Sequence, residues 1–217
     1  MTFTFPCRWF CHFDDDNYVN VPALVKKLAH FDHNSEWYLG KPSISEPMEV
    51  TTKTDKKKVS FWFATGGAGF CLSRPLVQRM APLVENGGFV ATGENIRLPD
   101  DVTVGYIIEH ELGVPLTVVR NFHSHLEPLR LISESSMADQ ISFGYAQAED
   151  NGTSKLTSNH IILSGGLSEL EDPTRFISLH CYLFPQSLTK CPIPKPTKPW
   201  EDTSRIPNVP CSNTFHL

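Results

Sequence analysis

Several features that mark other classes of protein are missing from this sequence. The formal net charge is −5, so no excess of basic residues indicates a nucleic-acid partner. No apolar stretch approaches the roughly 20 residues that a membrane-spanning helix needs. The six cysteines lack the paired CxxC spacing of structural zinc sites. Internal repeats and the GxGxxG fingerprint of dinucleotide-binding sites are absent as well. What remains is the composition of an ordinary globular protein, with 40% hydrophobic and 20% charged residues.

The length of 217 residues fits one domain, or one domain followed by a tail. Residues 190–217 are rich in Pro, Ser, Thr and Asn, which is typical of an extended segment rather than a packed element. We therefore predict a folded α/β region over residues 1–191 and a disordered, Pro-rich tail over residues 192–217.

Local patterns predict most of the secondary structure of the folded region. Pro22 and Pro75 suit the first turns of helices that begin at Val21 and directly after Ser73, and we expect Ser73 to cap the second of these helices. Asp100 opens a third helix, where acidic residues favour the positive end of the helix dipole. Runs of strand-forming residues predict strands at 8–13, which we expect to be buried, and at 36–39, 59–63, 114–119, 155–163 and 176–184.

The cysteines are widely spaced, and their even number favours disulfide bonds formed in an oxidising compartment. Asn151 begins an N-glycosylation sequon with Gly152 and Thr153, which supports the same compartment and makes Asn151 a candidate glycosylation site. Residues 1–6 are too short for a signal peptide and lack its basic start and apolar centre. We therefore expect that the chain is not a complete precursor.

The most informative motif is the run of three aspartates at residues 14–16, which closes the apolar run at residues 9–13. Three adjacent carboxylates repel one another and resist burial, so they need solvent, a cation or a hydrogen-bonded loop. In open α/β sheets, ligands bind at the carboxyl ends of strands, and carboxylate oxygens suit Mg²⁺ or Mn²⁺ that carries phosphate groups. The motif predicts such a metal site, and the alternative is a solvated acidic turn.

Two further pairs of residues are candidates for chemistry. His123 and His125 follow a predicted strand, and either imidazole is a candidate Mn²⁺ ligand. Asp100 and Asp101 offer a general base for an acceptor hydroxyl. Capping of the following helix explains the same aspartates equally well.

A glycine-rich loop at residues 66–69 follows the aromatic residues 61–63. The glycines indicate that the backbone passes close to something there, although they also suit a tight turn alone. One of the aromatic rings could face a sugar, whereas we expect at least two of the three to lie in the core.

Taken together, these motifs resemble the fringe family of β-1,3-N-acetylglucosaminyltransferases. Related β-1,3-galactosyl- and glucosyltransferases share the DDD element and parts of the glycine loop, whereas the combination with FHSHLE favours fringe. The resemblance runs in the same order from about residue 9 to residue 191. The segments that carry it are WFCHFDDDNYV at 9–19, FWFATGGAGFC at 61–71, RLPDD at 97–101, FHSHLE at 122–127, DPTRF at 172–176 and HC at 180–181.

The resemblance implies a GT-A fold with a mixed sheet flanked by helices. It implies the inverting transfer of GlcNAc from UDP-GlcNAc to O-linked fucose on EGF repeats, notably those of the Notch receptor, in the Golgi and with Mn²⁺ as cofactor. Asp16 and His125 would bind the metal. Asp14 and Asp15 would hold the nucleotide-sugar and the loop. Asp101 would take the proton from the fucose 3-hydroxyl.

The resemblance also makes Trp62, Gly66 and Gly67 candidate substrate contacts. It implies two disulfides, Cys11–Cys71 and Cys181–Cys191, and leaves Cys7 and Cys211 without an assigned partner.

One departure from the family bears on activity. Family members carry a signal anchor, a stem and the first βα units of the domain before the DDD strand, whereas only eight residues precede Trp9 here. We therefore expect an incomplete uridine pocket and poor binding of UDP-GlcNAc. The alternatives are an inactive form that binds or interferes with partners, a related β-1,3-galactosyl- or glucosyltransferase, and a secreted domain whose aspartates bind Ca²⁺.

Overall fold

Helices flank a mixed β-sheet in the computed structural model, which describes residues 7–149, 156–186 and 191. The strands are β1 (Trp9–His12), β2 (Asn17–Val19), β3 (Tyr38–Gly40), β4 (Met48–Thr51), β5 (Lys58–Phe61), β6 (Phe70–Ser73), β7 (Leu116–Val118), β8 (Ser142–Gly144), β9 (Ala146–Glu149) and β10 (Leu156–Asn159). The α-helices are α1 (Val21–Leu28), α2 (Arg74–Val84), α3 (Gly88–Ile96), α4 (Asp100–Gly105) and α5 (Phe176–Leu183). A 3₁₀ turn, which we call the glycine turn, covers Gly66–Ala68. Helix α4 continues as a π-helix over Tyr106–Glu111.

The central sheet has the strand order β1-β6-β3-β7. Strand β6 pairs antiparallel with both β1 and β3, whereas β3 and β7 run parallel. The prediction that the first strand is buried was wrong, because β1 is an edge strand among the described residues and its side chains are partly exposed. The remaining strands form three two-stranded ribbons, β2 with β8, β4 with β5 and β9 with β10.

The helix starts agree with the sequence patterns, but their caps differ. Asn20 caps α1 by accepting the backbone N–H of Ala23 at 3.4 Å, and Leu24 and Leu28 of this helix are buried. Ser73 occupies the N-cap position of α2, but the prediction that its side chain caps the helix was wrong, because it makes no such hydrogen bond. Its buried hydroxyl instead accepts the backbone N–H of Trp37 at 2.9 Å, which joins the start of α2 to the segment before β3.

The strand predicted at 176–184 was wrong, because Phe176–Leu183 forms α5. The carboxylate of Asp172 is buried and accepts the backbone N–H of Ser178 at 2.7 Å, which satisfies a donor in the first turn of the helix. Leu179 and Leu183 lie one turn apart and are both buried. A short apolar run does not distinguish a buried strand from a buried helix by its pattern alone.

The core consists of three clusters of buried side chains. The largest joins β5, β6, α2 and the helix that starts at Asp100. A second packs α1 against the central sheet, and a third packs α5 against β8.

Some predictions fall on residues that the structure does not describe, namely the sequon at Asn151, Cys211 and the tail over 192–217. The longest helix in the described part of the chain has 11 residues, and none there has the length and apolarity needed to cross a membrane.

Candidate functional site

Four motifs that are far apart in the sequence meet around the 3₁₀ turn at Gly66–Ala68. The aspartates follow β1, the turn joins β5 to β6, Asp101 lies in the first turn of α4, and His125 lies in the loop after β7. A Cβ atom added to Gly66 would lie 3.6 Å from both Asp14 Oδ2 and Asp101 Cβ, and one added to Gly67 would lie 3.4 Å from His125 Cε1. Asp14 and Asp101 therefore both approach the place of a Gly66 side chain, and His125 approaches that of Gly67.

The three aspartates have different surroundings. Asp14 Oδ1 lies 2.9 Å from His12 Nε2, and the two side chains are about 40% exposed. The side chain of Asp15 is exposed to solvent. Asp16 turns toward the loop after β7, where its Oδ2 lies 3.0 Å from Nδ1 of His125. The alternation along the motif thus directs one carboxylate to Gly66 and another to His125.

The contact between Asp16 and His125 has a property that suits a shared cation. The two atoms are 3.0 Å apart and each side chain is about one-third exposed, but Nδ1 of His125 is buried and makes no hydrogen bond of acceptable geometry to any described residue. A buried polar atom without a hydrogen bond costs about 1–3 kcal/mol. An imidazole nitrogen and a carboxylate oxygen that face each other in this way are suitable ligands for Mn²⁺.

Asn17, which no sequence pattern singled out as a candidate, belongs to the same group. Its Nδ2 donates to the backbone oxygen of Gly67 at 2.8 Å and to Asp16 Oδ1 at 3.2 Å. Its Oδ1 is buried and, within the described residues, accepts no hydrogen bond. Asn17 therefore fastens the acidic loop, residues 14–16, to the glycine turn. Its position directly after the three aspartates was the signal available in the sequence.

Asp101 serves as a helix cap and also faces the site. Its Oδ1 accepts the backbone N–H of Val102 at 2.8 Å, and its Oδ2 accepts that of Gly66 at 3.1 Å. Asp100, which is exposed, accepts the N–H of Asp101 at 2.9 Å. Both aspartates thus accept backbone N–H groups in the first turn of the helix, and the general-base role of Asp101 stays a prediction. The bond to Gly66 directs one oxygen of Asp101 at the glycine turn, and a second lone pair stays on that oxygen.

The aromatic residues before the turn divide between core and surface. Phe61 and Phe63 are buried, as expected for two of the three rings. Trp62 is partly exposed, and its backbone N–H donates to Glu109 at 2.5 Å. Its carbonyl oxygen would lie 3.0 Å from a Cβ added to Gly105 of α4, so Trp62 is positioned beside the helix that carries Asp101.

His123, the second candidate metal ligand, contacts Glu127 and Gln140 instead of Asp16. Its ring is buried, with Nδ1 3.2 Å from Glu127 Oε2 and Nε2 2.8 Å from Gln140 Oε1. Burial raises the pKa of Glu127, but hydrogen bonds and charges from His123 and Lys41 outweigh it and bring that pKa down to about 2. Of the two histidines, only His125 is therefore available at Asp16.

The described residues contain no group of three or more His, Cys, Asp or Glu side chains arranged to hold a metal. A cation bound by Asp16 and His125 would thus have two protein side chains and would need the rest of its shell from substrate oxygens and water. Metals that act on phosphate substrates are commonly held in this way, by few protein ligands plus the phosphates.

One disulfide joins two strands of the central sheet, and another starts from α5. Cys11 of β1 is bonded to Cys71, its direct partner on β6, and Cys181 of α5 is bonded to Cys191. Both pairs implied by the resemblance are thus present, and Cys7 is disulfide-bonded too. The first bond lies three residues before Asp14 and fastens the acidic loop to the strand that follows the glycine turn.

Comparison with known proteins identifies the family. The family model described as Fringe-like matches residues 2–187. The Fringe glycosyltransferase of Drosophila melanogaster is 54% identical over 182 residues, which are 82% of this chain and 42% of that protein. The lunatic fringe β-1,3-N-acetylglucosaminyltransferases of Danio rerio and Homo sapiens are 49% and 45% identical over 183 residues, 83% of this chain and 47% of each relative. The chain thus spans less than half the length of these curated relatives, and it belongs to the Fringe-like family.

Proposed function

We propose that this chain carries the catalytic site of a β-1,3-N-acetylglucosaminyltransferase of GT-A fold. It transfers GlcNAc from UDP-GlcNAc to O-linked fucose on EGF repeats of Notch-type receptors in the Golgi, with inversion at the anomeric carbon. The observation that supports this proposal is that Asp101 and the Asp16–His125 pair meet at one glycine turn, with Asp101 at Gly66 and His125 at Gly67. The names of the relatives supply the sugar and the linkage.

Donor binding uses the acidic loop. Asp16 and His125 hold Mn²⁺, which when bound neutralises the charge that develops on the departing UDP. Asp14 and Asp15 hold the nucleotide-sugar and the loop. The lack of side chains at Gly66 and Gly67 lets the sugar approach the backbone, because even one Cβ atom there would lie 3.4–3.6 Å from His125, Asp14 or Asp101.

The chemical step uses Asp101. The carboxylate accepts the proton of the fucose 3-hydroxyl while the hydroxyl oxygen forms a bond to the anomeric carbon of GlcNAc. The bond from that carbon to the UDP oxygen breaks on the opposite face, so the configuration inverts. The hydrogen bond from the Gly66 N–H at 3.1 Å holds the carboxylate in place, and Trp62 lies beside the same helix as a surface for the acceptor sugar.

The assignment of Asp101 is tested with Asp101→Asn and with Asp100→Asn as the matched control, since both variants remove one carboxylate from the same helix turn. Transfer to an O-fucosylated EGF repeat should fall about 10²- to 10⁴-fold in Asp101→Asn, while calorimetric binding of UDP with Mn²⁺ stays the same. Asp100→Asn should keep both properties. Equal loss of binding and transfer in Asp101→Asn would show that this residue is structural.

The metal assignment is tested with Asp16→Ala, which should abolish the dependence of UDP binding on Mn²⁺. Unchanged binding would remove Asp16 from the metal site. If the folded chain binds no UDP at all with Mn²⁺ present, the result favours the non-enzymatic alternative, in which the site residues are inherited but unused.

A further inference from the structure

The loop that carries His125 has an unusual set of side-chain anchors. Residues 122–127 lie outside the helices and strands, so no regular backbone ladder sets the position of the imidazole. Among the side chains that bind the loop are Lys41, Glu127 and Asn159, and we call these three the loop anchors. Two of them, Glu127 and Asn159, make several hydrogen bonds each. In the described residues, none of the three is hydrogen-bonded to Asp16.

Glu127 folds back across the residue that it positions. Its Oε1 accepts the backbone N–H of Ser124 at 3.1 Å, and its Oε2 accepts from Lys41 Nζ at 2.6 Å. Glu127, two residues after His125, thus bonds to the residue directly before His125 and also to Lys41. Lys41 directly follows β3 in the central sheet, and its carbonyl oxygen accepts the N–H of Thr65 at 3.0 Å, just before the glycine turn. Through Lys41, Glu127 therefore connects the loop that carries His125 to the central sheet and to the glycine turn.

Asn159 holds the same loop from the opposite end. Its Nδ2 donates to the backbone oxygens of His125 at 2.6 Å and Glu127 at 2.7 Å, and its Oδ1 accepts the N–H of Leu129 at 3.2 Å. An amide is the side chain that offers two donors and an acceptor in one plane. The loop is also pressed onto β8, where a Cβ added to Gly144 would lie 2.5 Å from the backbone nitrogen of His125.

We propose that Glu127 and Asn159 are positioning residues that set the imidazole of His125 for metal binding. The inference rests on the proposed function, in which Asp16 and His125 hold Mn²⁺. Groups that orient a metal-bound histidine commonly change metal affinity about 10- to 100-fold when they are removed, although they do not touch the metal. Here the orientation is imposed through the backbone of the loop rather than through the second ring nitrogen.

The experiment measures Mn²⁺ affinity of the full chain in the presence of UDP, from the EPR signal of free Mn²⁺. Glu127→Gln and Asn159→Ala should each weaken binding about 10- to 100-fold. The matched controls are Glu171→Gln, which changes a carboxylate that accepts the hydroxyl of Ser168 at 2.6 Å, and Asn95→Ala, which removes an amide whose oxygen accepts the hydroxyl of Thr54 at 3.0 Å. The controls should leave the affinity unchanged, and thermal unfolding verifies that all variants fold.

A second measurement separates positioning from general loss of structure. Each variant is combined with His125→Ala, which still offers Asp16 and the UDP diphosphate and so keeps weak Mn²⁺ binding. Because a positioning residue acts through His125, the Glu127→Gln and Asn159→Ala changes should cause no further loss in that background. A further loss as large as in the wild-type background would overturn the proposal.

The proposed function fails in a different way. If His125→Ala and Asp16→Ala bind Mn²⁺ as well as the wild type does, the metal assignment itself is wrong. If both lose affinity while Glu127→Gln and Asn159→Ala behave like their controls, the metal site stands and the positioning role is refuted.

Discussion

The disulfide between Cys11 and Cys71 should contribute more to stability than the one between Cys181 and Cys191. Cys11 is exposed and Cys71 is completely buried. Replacing Cys11 by Ser therefore breaks the bond and leaves the buried sulfur in place. Cys191→Ser is the matched variant, because it leaves the buried sulfur of Cys181.

The expected magnitudes follow from the lengths of chain that the bonds close. The two bonded pairs are separated by 60 and 10 residues. Loop-closure entropy in the unfolded chain then gives losses of roughly 4.3 kcal/mol for Cys11→Ser and roughly 2.7 kcal/mol for Cys191→Ser at 25 °C. Their difference of about 1.6 kcal/mol depends only on the ratio of the two loop lengths. A loss of this size is a large part of the stability of an ordinary domain, about 5–15 kcal/mol.

Urea unfolding of the two variants and the wild type, followed by circular dichroism, measures these free energies. The slope of free energy against urea should rise in Cys11→Ser, because its unfolded chain exposes more surface without the cross-link. If Cys11→Ser loses no more stability than Cys191→Ser, the loop-entropy argument is wrong for this protein. The stabilisation by Cys11–Cys71 would then have to come from packing between β1 and β6.

Three further outcomes are expected. Gly69→Ala should lose at least about 3 kcal/mol of unfolding free energy, because φ is +86° and the new Cβ would lie 2.2 Å from Phe13. Gly113→Ala, with φ +70° and open space in the described part of the chain, should lose about 1 kcal/mol. Equal losses in thermal unfolding would contradict the steric argument. Asp172→Ala should lose about 1–2 kcal/mol in urea unfolding and weaken α5, since buried Asp172 caps it; an unchanged midpoint would refute this. Hydrogen bonds from Thr52 and Lys57 lower the pKa of Asp55 to about 2. Its stabilisation is therefore complete above its unfolded pKa of about 3.9 and lost as the pH falls toward about 2, so the stability difference between wild type and Asp55→Asn should vanish over that interval.

Sequence patterns predicted the parts of the site that depend on local rules. The helix start at Asp100 follows from acidic residues at a helix N-terminus, and α1 follows from Pro22 and the spacing of Leu24 and Leu28. The mixed sheet flanked by helices is confirmed. The predictions that failed needed information that local patterns lack. The apolar run at 176–184 suits either a strand or a helix until its neighbours are known. The burial of β1 depends on its place in the sheet, which no local pattern records.

Sequence motifs were enough to name the candidate residues for the chemistry and the family to which the chain belongs, since motifs of fixed spacing can be recognised without knowledge of the fold. How these residues are arranged in space followed from the tertiary structure alone. It brought His125 to Asp16 across 109 positions of sequence, assigned His123 to Glu127 and Gln140, and showed Asn17 and Asn159 as the residues that fasten the two loops. The physical reason is that capping, turns and periodicity act within a few residues. Contacts between distant loops depend instead on strand order and on packing against the glycine turn.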